Sequence, residues 1–317
     1  MELLRGLTGL RSHHRPCVAT IGAFDGVHLG HQTVVAQLAE QGHNYGLPTA
    51  VVTFEPLPRE YLAADTAPPR LQSFRERFAA LAALGVDRLL CLRFDDGLRN
   101  MSAEQFADSI FVQGLGVRSL ILGDDFRFGH DREGGFSLVR SIGEREGFAT
   151  LATETLEFEG ERISSTRVRN ALAIGDFATS RACLGRDYEI SGRVIYGRQL
   201  GRLIGAPTAN IALRRESIPL AGVFAVTVGG AGLVDVPAIA NVGVRPTVAA
   251  GAKPNLEVHI LDGDHALYGE RLQVRFLHKL RDEQRFESVD LLKAQIHQDI
   301  NGARAWFASG VKDTQQT

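Results

Sequence analysis

The chain has 317 residues, 44% of them hydrophobic and 23% charged, with a formal net charge of −2. That length predicts two folded domains, each with its own core, and the near-neutral balance leaves no global basic field to attract nucleic acid or an anionic membrane. Lysine occurs only at Lys253, Lys279, Lys293 and Lys312. A Gly-Lys-Ser/Thr phosphate loop is therefore excluded, and any nucleotide must be held by arginine, histidine, backbone amides and metal.

In chain order, the N-terminus has no basic start ahead of a long apolar core, and no run reaches the ~20 apolar residues of a membrane span. Cys17, Cys91 and Cys183 lie far apart, as expected of free buried thiols in a reducing, cytoplasmic compartment. Apolar strands are predicted at 17–21 (CVATI), 49–54 (TAVVTF), 88–94 (RLLCLRF) and 118–123 (RSLILG), with helices at about 31–42, 73–84 and 102–115. Ser73 ahead of Phe74, Phe78 and Leu81 reads as a helix start with 3.6-residue spacing, and Ser102 opens the next one. Alternating strands and helices imply a parallel sheet with helices on its faces, whose ligands bind beyond the carboxyl ends of the strands.

Directly after the first of these strands comes GAFDGVHLGH, residues 22–31. Gly22, Gly26 and Gly30 let the backbone turn and approach a ligand. His28 and His31 stand three apart at a predicted helix start, where free amides and the helix dipole favour an anion. The alternative is a pair of surface or metal-binding histidines, but no further ligands with zinc-site spacing are evident. Later, ISSTRVR (163–169) sets the hydroxyls of Ser164, Ser165 and Thr166 ahead of Arg169, as a helix cap or as donors to phosphate oxygens.

From Tyr188 to Leu280 the pattern becomes short alternating strands, such as 223–228, 256–261 and 271–276, broken by Gly, Pro and Asn. This predicts a small antiparallel barrel, followed by a helix at about 287–300. The expected organisation is therefore an α/β domain over 1–185, a β domain over 186–308 and a disordered tail over 309–317. GRQLGRLIGAPTAN (197–210) repeats glycine at Gly197, Gly201 and Gly205, a spacing that could bring amides to phosphates. Thr208 and Asn210 share a face if the segment is extended and then offer hard oxygens suited to Mg²⁺; the alternative is a plain Pro-Thr-Ala-Asn turn. Glu257 lies in the alternating strand LEVHILD, as a solvated outward side chain or as a base able to reach a substrate hydroxyl.

Two resemblances sharpen these readings. HxGH near the start and ISSTRVR late, around a parallel sheet, resemble the nucleotidyltransferase superfamily; with TFEPLPREYL (53–62) and GDDFRFGHDREG (123–134) the first domain looks like the adenylyltransferase module of bacterial FAD synthetases. The resemblance implies that Gly22, Phe24, His28, His31, Ser164, Thr166 and Arg169 bind ATP, with His28, His31 and Arg169 acting in catalysis, and that Asp125 contacts FMN. GRQLGRLIGAPTANI, GVFAV (222–226), NVGVRPT (241–247), LEVHILD (256–262), LYGE (267–270) and LRDEQRF (280–286) follow in the order seen in riboflavin kinases. There Gly197, Gly201, Thr208 and Asn210 would bind ATP, Thr208 and Asn210 its Mg²⁺, Glu257 would be the catalytic base and Arg281 would help cover the flavin. The implied protein converts riboflavin to FMN and FMN to FAD with ATP as co-substrate, acting on small molecules, not on nucleic acid or membranes. The rival expectations are an enzyme with one live half and a non-catalytic flavin-nucleotide sensor.

Overall fold

The computed structural model describes residues 1–123, 126–197, 207–245, 253–263 and 265–310. Contacts divide the chain into two compact units, Met1–Pro68 with Phe74–Ser164, and Pro69–Ser73 with Ser165–Thr317.

The first unit is built on six parallel strands, β1 (Glu2–Arg5), β2 (Cys17–Ile21), β3 (Thr49–Glu55), β4 (Arg88–Arg93), β5 (Val117–Gly123) and β6 (Ala149–Thr153), in the order β1-β4-β3-β2-β5-β6. Helices α1 (Leu29–Tyr45), α2 (Pro58–Leu62), α3 (Phe74–Ala83), α4 (Asp96–Arg99), α5 (Ala103–Ala107) and α6 (Phe136–Glu146) connect them, and a two-stranded hairpin, β7 (Glu157–Phe158) and β8 (Glu161–Arg162), follows. Central strands are apolar at successive positions because both faces are covered. Val18, Val51, Leu89 and Ile121 pack with Val34, Leu38 and Leu81 on one side. Ala19, Val52, Leu90 and Leu120 pack with Phe106, Ile110 and Phe111 on the other. The predicted 102–115 helix divides into α5 and a π-helical turn over Asp108–Val112. Its start is as expected, with Ser102 accepting from the Gln105 amide at 3.1 Å and Gln105 from the Ser102 amide at 3.0 Å.

The strand order reverses at β2, which pairs with β3 on one side and β5 on the other. A crevice at the carboxyl ends of such neighbouring strands is where open α/β sheets bind ligands, and the β2–α1 connection carrying the two histidines starts there.

The second unit opens with α7 (Ser165–Ile174) and α8 (Phe177–Leu184). Strands β9 (Tyr188–Ile195), β10 (Ala209–Ile211), β11 (Gly222–Gly230), β12 (Leu233–Arg245), β13 (Lys253–Ile260) and β14 (Arg271–Arg281) close an antiparallel barrel in the order β10-β13-β12-β11-β14-β9. Phe224, Val226, Ala240, Val242, Leu256, Val258, Val274 and Phe276 are buried within it. The C-terminal helix α9 (Val289–Ala308) covers an apolar stripe of Val223, Ala225, Ile239 and Leu261 through Ala303, Ile300, Trp306 and Phe307. The expected seam near 185 follows the change from helices to strands. By contact the units part earlier, because α8 joins the barrel by placing Phe177 edge-on to Phe224 at 5.9 Å. Residues 311–317, most of the expected tail, lie outside the described residues.

Candidate functional site

In the first unit, the Gly22 amide extends the sheet by donating to the Val52 carbonyl at 3.0 Å. The chain then turns through Phe24 (φ 50°), Gly26 (φ 89°) and Val27 (φ 41°). Bulky and β-branched residues in the left-handed region each cost roughly 1–3 kcal/mol and persist only where their surroundings fix them. Here the Phe24 ring lies over Gly22, so close that a methyl at Gly22 would meet it at 3.2 Å. The Phe24 side chain is thus part of the core, and a nucleotide at this turn would meet its backbone. The Ala23 carbonyl is held by Arg77 Nη1 at 2.8 Å and by the Thr53 hydroxyl at 3.4 Å.

His28 caps α1, its Nδ1 accepting from the His31 amide at 3.4 Å. The two imidazoles stack with centroids 3.7 Å apart, and His31 also packs on Phe24 at 5.0 Å. Gly30 makes room, since a Cβ there would press on the His28 ring at 3.3 Å. His31 Nδ1 is buried and has no hydrogen-bond partner among the described residues. Desolvation first, then the charges of His28 and Arg77, hold the His31 pKa well below 6.5, so the imidazole is neutral near pH 7. A buried ring nitrogen at the N-terminus of a 17-residue helix is suited to an entering anion.

The ISSTRVR run straddles the two units. Ser164 ends the first, while Thr166 and Arg169 lie on α7 in the second. Thr166 is exposed, and Arg169 is half-buried with Nε donating to the Pro69 carbonyl at 2.6 Å. Asp125 lies outside the described residues, as does Gly201.

In the barrel, register decides the site. Asn210 on β10 stands opposite Glu257 on β13, and Glu257 stands opposite Asn241 on β12. Their side chains project outside the barrel, because Leu256 and Val258 on either side of Glu257 point inward and are buried. Asn255, two residues before Glu257, donates Nδ2 to its Oε1 at 2.8 Å, which fixes the carboxylate. Gly197 lies directly against the buried amide of Asn210: a methyl at Gly197 would stand 2.5 Å from Asn210 Cγ and 2.7 Å from Oδ1. Thr208 is half-buried one step before β10. Next to Gly197 the exposed Tyr196 stacks on Tyr268 with centroids 4.2 Å apart. At the end of β14, Arg281 makes a two-pronged ion pair with buried Asp299 of α9, at 2.8 Å and 2.7 Å, and Gln295 donates to the same carboxylate at 2.8 Å. As placed here, the Arg281 guanidinium anchors the C-terminal helix.

Two family models cover the chain almost end to end. The model described as FAD synthetase matches residues 10–167, and that described as riboflavin kinase matches residues 184–307. The chain belongs to the bifunctional riboflavin kinase/FMN adenylyltransferase family. The relative of that name from Pseudomonas fluorescens is 51% identical over 97% of this chain and 98% of its own length. The Escherichia coli K12 relative is 48% identical over the same shares, and the Haemophilus influenzae relative 41% identical over 98% of this chain and 100% of its own. A solved structure described as a macrolide-efflux protein from Streptococcus pneumoniae superposes with a TM-score of 0.80 at 28% identity, covering 96% of this chain and 100% of that one.

Two features of this enzyme escaped the sequence reading. One is Asn255, which precedes the LEVHILD motif and binds Glu257, together with the cross-strand place of Asn241 opposite Glu257. The other is Arg77, buried on α3 with its guanidinium spanning the β2–α1 turn and the end of β3.

Proposed function

We propose that the chain makes FAD in two ATP-dependent steps, riboflavin phosphorylation at the barrel and FMN adenylylation at the parallel sheet. In the first step Glu257 takes the proton of the terminal ribityl hydroxyl as that oxygen attacks the γ-phosphorus of ATP, giving FMN and ADP. The Asn210 carbonyl and the Glu257 carboxylate, opposite one another on β10 and β13, and the Thr208 hydroxyl two residues before Asn210 are hard oxygen donors of the kind that suits Mg²⁺. Thr208 and Asn210 would hold the ion, and the chemistry it would supply is charge neutralisation at the ATP phosphates.

In the second step an FMN phosphate oxygen attacks the α-phosphorus of a second ATP and pyrophosphate leaves. No protein nucleophile is required. His28 and His31 align the triphosphate and steady the charge on the departing pyrophosphate by hydrogen bonds. Ser164, Thr166 and Arg169 add donors to the phosphates of this step, and Asp125 meets the flavin substrate. The three cysteines are buried and unbridged, which supports a reducing, cytoplasmic setting.

The observation that carries the reading is the Asn210–Glu257 cross-strand pair in one compact unit and the stacked His28–His31 pair at the switch point of the other. Chromatography of products from riboflavin and Mg-ATP tests it. Glu257→Gln should stop FMN formation yet leave FMN-to-FAD conversion, and His31→Gln should do the reverse. Flavin binding without any ATP consumption by the native chain would instead identify a sensor.

A further inference from the structure

Arg77 is 1% exposed, although arginine is among the residues least often buried. Its guanidinium joins three backbone and side-chain oxygens. Nη1 donates to the Ala23 carbonyl at 2.8 Å, and Nη2 donates to the Phe54 carbonyl at 3.2 Å and to Glu55 Oε2 at 3.1 Å. It also lies 5.6 Å from the Phe74 ring centre. One planar fork therefore ties α3 to the end of β3 and to the first residue of the left-handed turn that leads to His28 and His31. A lysine has no such fork, and its single nitrogen could not span the Ala23 carbonyl and the β3 acceptors at once.

We infer that Arg77 is the positioning residue of the adenylyltransferase site, holding the Ala23–His31 segment in the strained conformation that stacks His28 on His31. The inference rests on the reading of those histidines as the triphosphate site. Arg77 has no part in the chemistry. Without it Ala23 keeps, among the described residues, the long bond from Thr53, and Phe24 and Val27 can relax toward ordinary φ values. His31 then drifts from its place above Phe24. The charges acting on His31 are His28 on the cap of its own helix and Arg77 on α3, with Glu55 at the end of β3 bound to Arg77.

The test uses the full-length protein with Arg77→Met, Arg77→Lys, Glu55→Gln and His31→Gln, and measures both reactions. Arg77→Met is expected to lower kcat for FMN adenylylation about 100-fold, the cost of misplacing a catalytic group by ~1 Å. Its KM for ATP and its riboflavin phosphorylation should stay within about threefold of native. Arg77→Lys should recover part of the kcat. Because a positive charge is lost beside His31, the acid limb of the adenylylation profile should move to higher pH in Arg77→Met. Glu55→Gln removes a negative charge bound to Arg77 beside His31, so the limb should move to lower pH; this variant decides the matter if Arg77→Met fails to fold. Adenylylation at native kcat in a folded Arg77→Met or Arg77→Lys protein would overturn the inference, as would an unmoved limb in Glu55→Gln. If His31→Gln itself adenylylates normally, the histidine reading has failed, and the placement of Arg77 with it.

Discussion

Replacing Gly197 by alanine adds one methyl and tests the kinase site directly. No positive φ is recorded at Gly197, so alanine brings no backbone strain there. The new methyl would stand 2.5 Å from Asn210 Cγ. Ordinary carbon contacts begin near ~3.5 Å, so the amide must retreat by about 1 Å. Asn210 is 5% exposed and paired across β10 with Glu257, so it has little room in which to do so harmlessly. A ~1 Å error in a positioning group costs about 100-fold in rate, equivalent to ~2.7 kcal/mol of transition-state stabilisation. Riboflavin phosphorylation, followed by separating FMN from riboflavin, should fall by that order, while FMN adenylylation stays at its native rate. A double-mutant cycle isolates the cause. In an Asn210→Ala background the methyl has no amide to displace, and Gly197→Ala should cost almost nothing further. Native kinase activity in Gly197→Ala, or an undiminished penalty in the double variant, would refute the claim that Gly197 acts by seating Asn210.

Asp299→Ala should remove the partner of a mostly buried Arg281 and cost about 3 kcal/mol; the single tryptophan, Trp306 on α9, stacked on His278 at 5.5 Å, should report the loosened helix in urea titrations followed by fluorescence. His31 has a depressed pKa in the folded chain, so the unfolded state binds more protons as pH falls through 6.5; its contribution to stability is full above that value and declines below it. The native protein should therefore lose more stability than His31→Gln between pH 7.5 and 5.5, by at most ~1.4 kcal/mol per pH unit, measured as the difference of their urea midpoints. Burial pushes the Cys17 thiol up to about 12, and Cys91 and Cys183 are buried as well, so a thiol-specific reagent should label the native protein negligibly and all three positions in denaturant. Arg169→Ala should slow FMN adenylylation about 10–100-fold as the loss of a charge-assisted phosphate contact, with riboflavin phosphorylation as the internal control.

The parts of the fold legible in the sequence are those whose patterns arise from local burial. Cys17–Ile21 and Thr49–Glu55 read as strands because they sit between two helical layers and must be apolar at successive positions. The edge strands β1 and β6 were not legible. Glu2–Arg5 is short, and Ala149–Thr153 is half-buried or exposed at every position but the last, so neither carries a run that separates it from a loop. The π-helical turn at Asp108–Val112 likewise has no periodic signature, being a local accommodation within α5's continuation. In the barrel, alternation set Glu257 and His259 on the face opposite Leu256 and Val258, as found. It could not name the neighbours on that face: that Asn210 and Asn241 flank Glu257 follows from strand register, which long-range closure decides.

Arg77 was different, because a signal was present. Phe74, Phe78 and Leu81 form the apolar stripe that identifies α3, and position 77 falls three residues after Phe74 and next to Phe78 on that stripe. Lacking a partner, a guanidinium at a core-facing position would be expelled or would destabilise the helix. A charge within an otherwise apolar face therefore implies fixed acceptors inside the fold. Here they are two backbone carbonyls at the ends of parallel strands and one carboxylate. Strand ends in open α/β sheets are also where substrates bind. An arginine on the inner stripe of a crossover helix thus marks the support of a functional turn, and residues that break the periodicity of a helix carry as much functional information as the motif they hold in place.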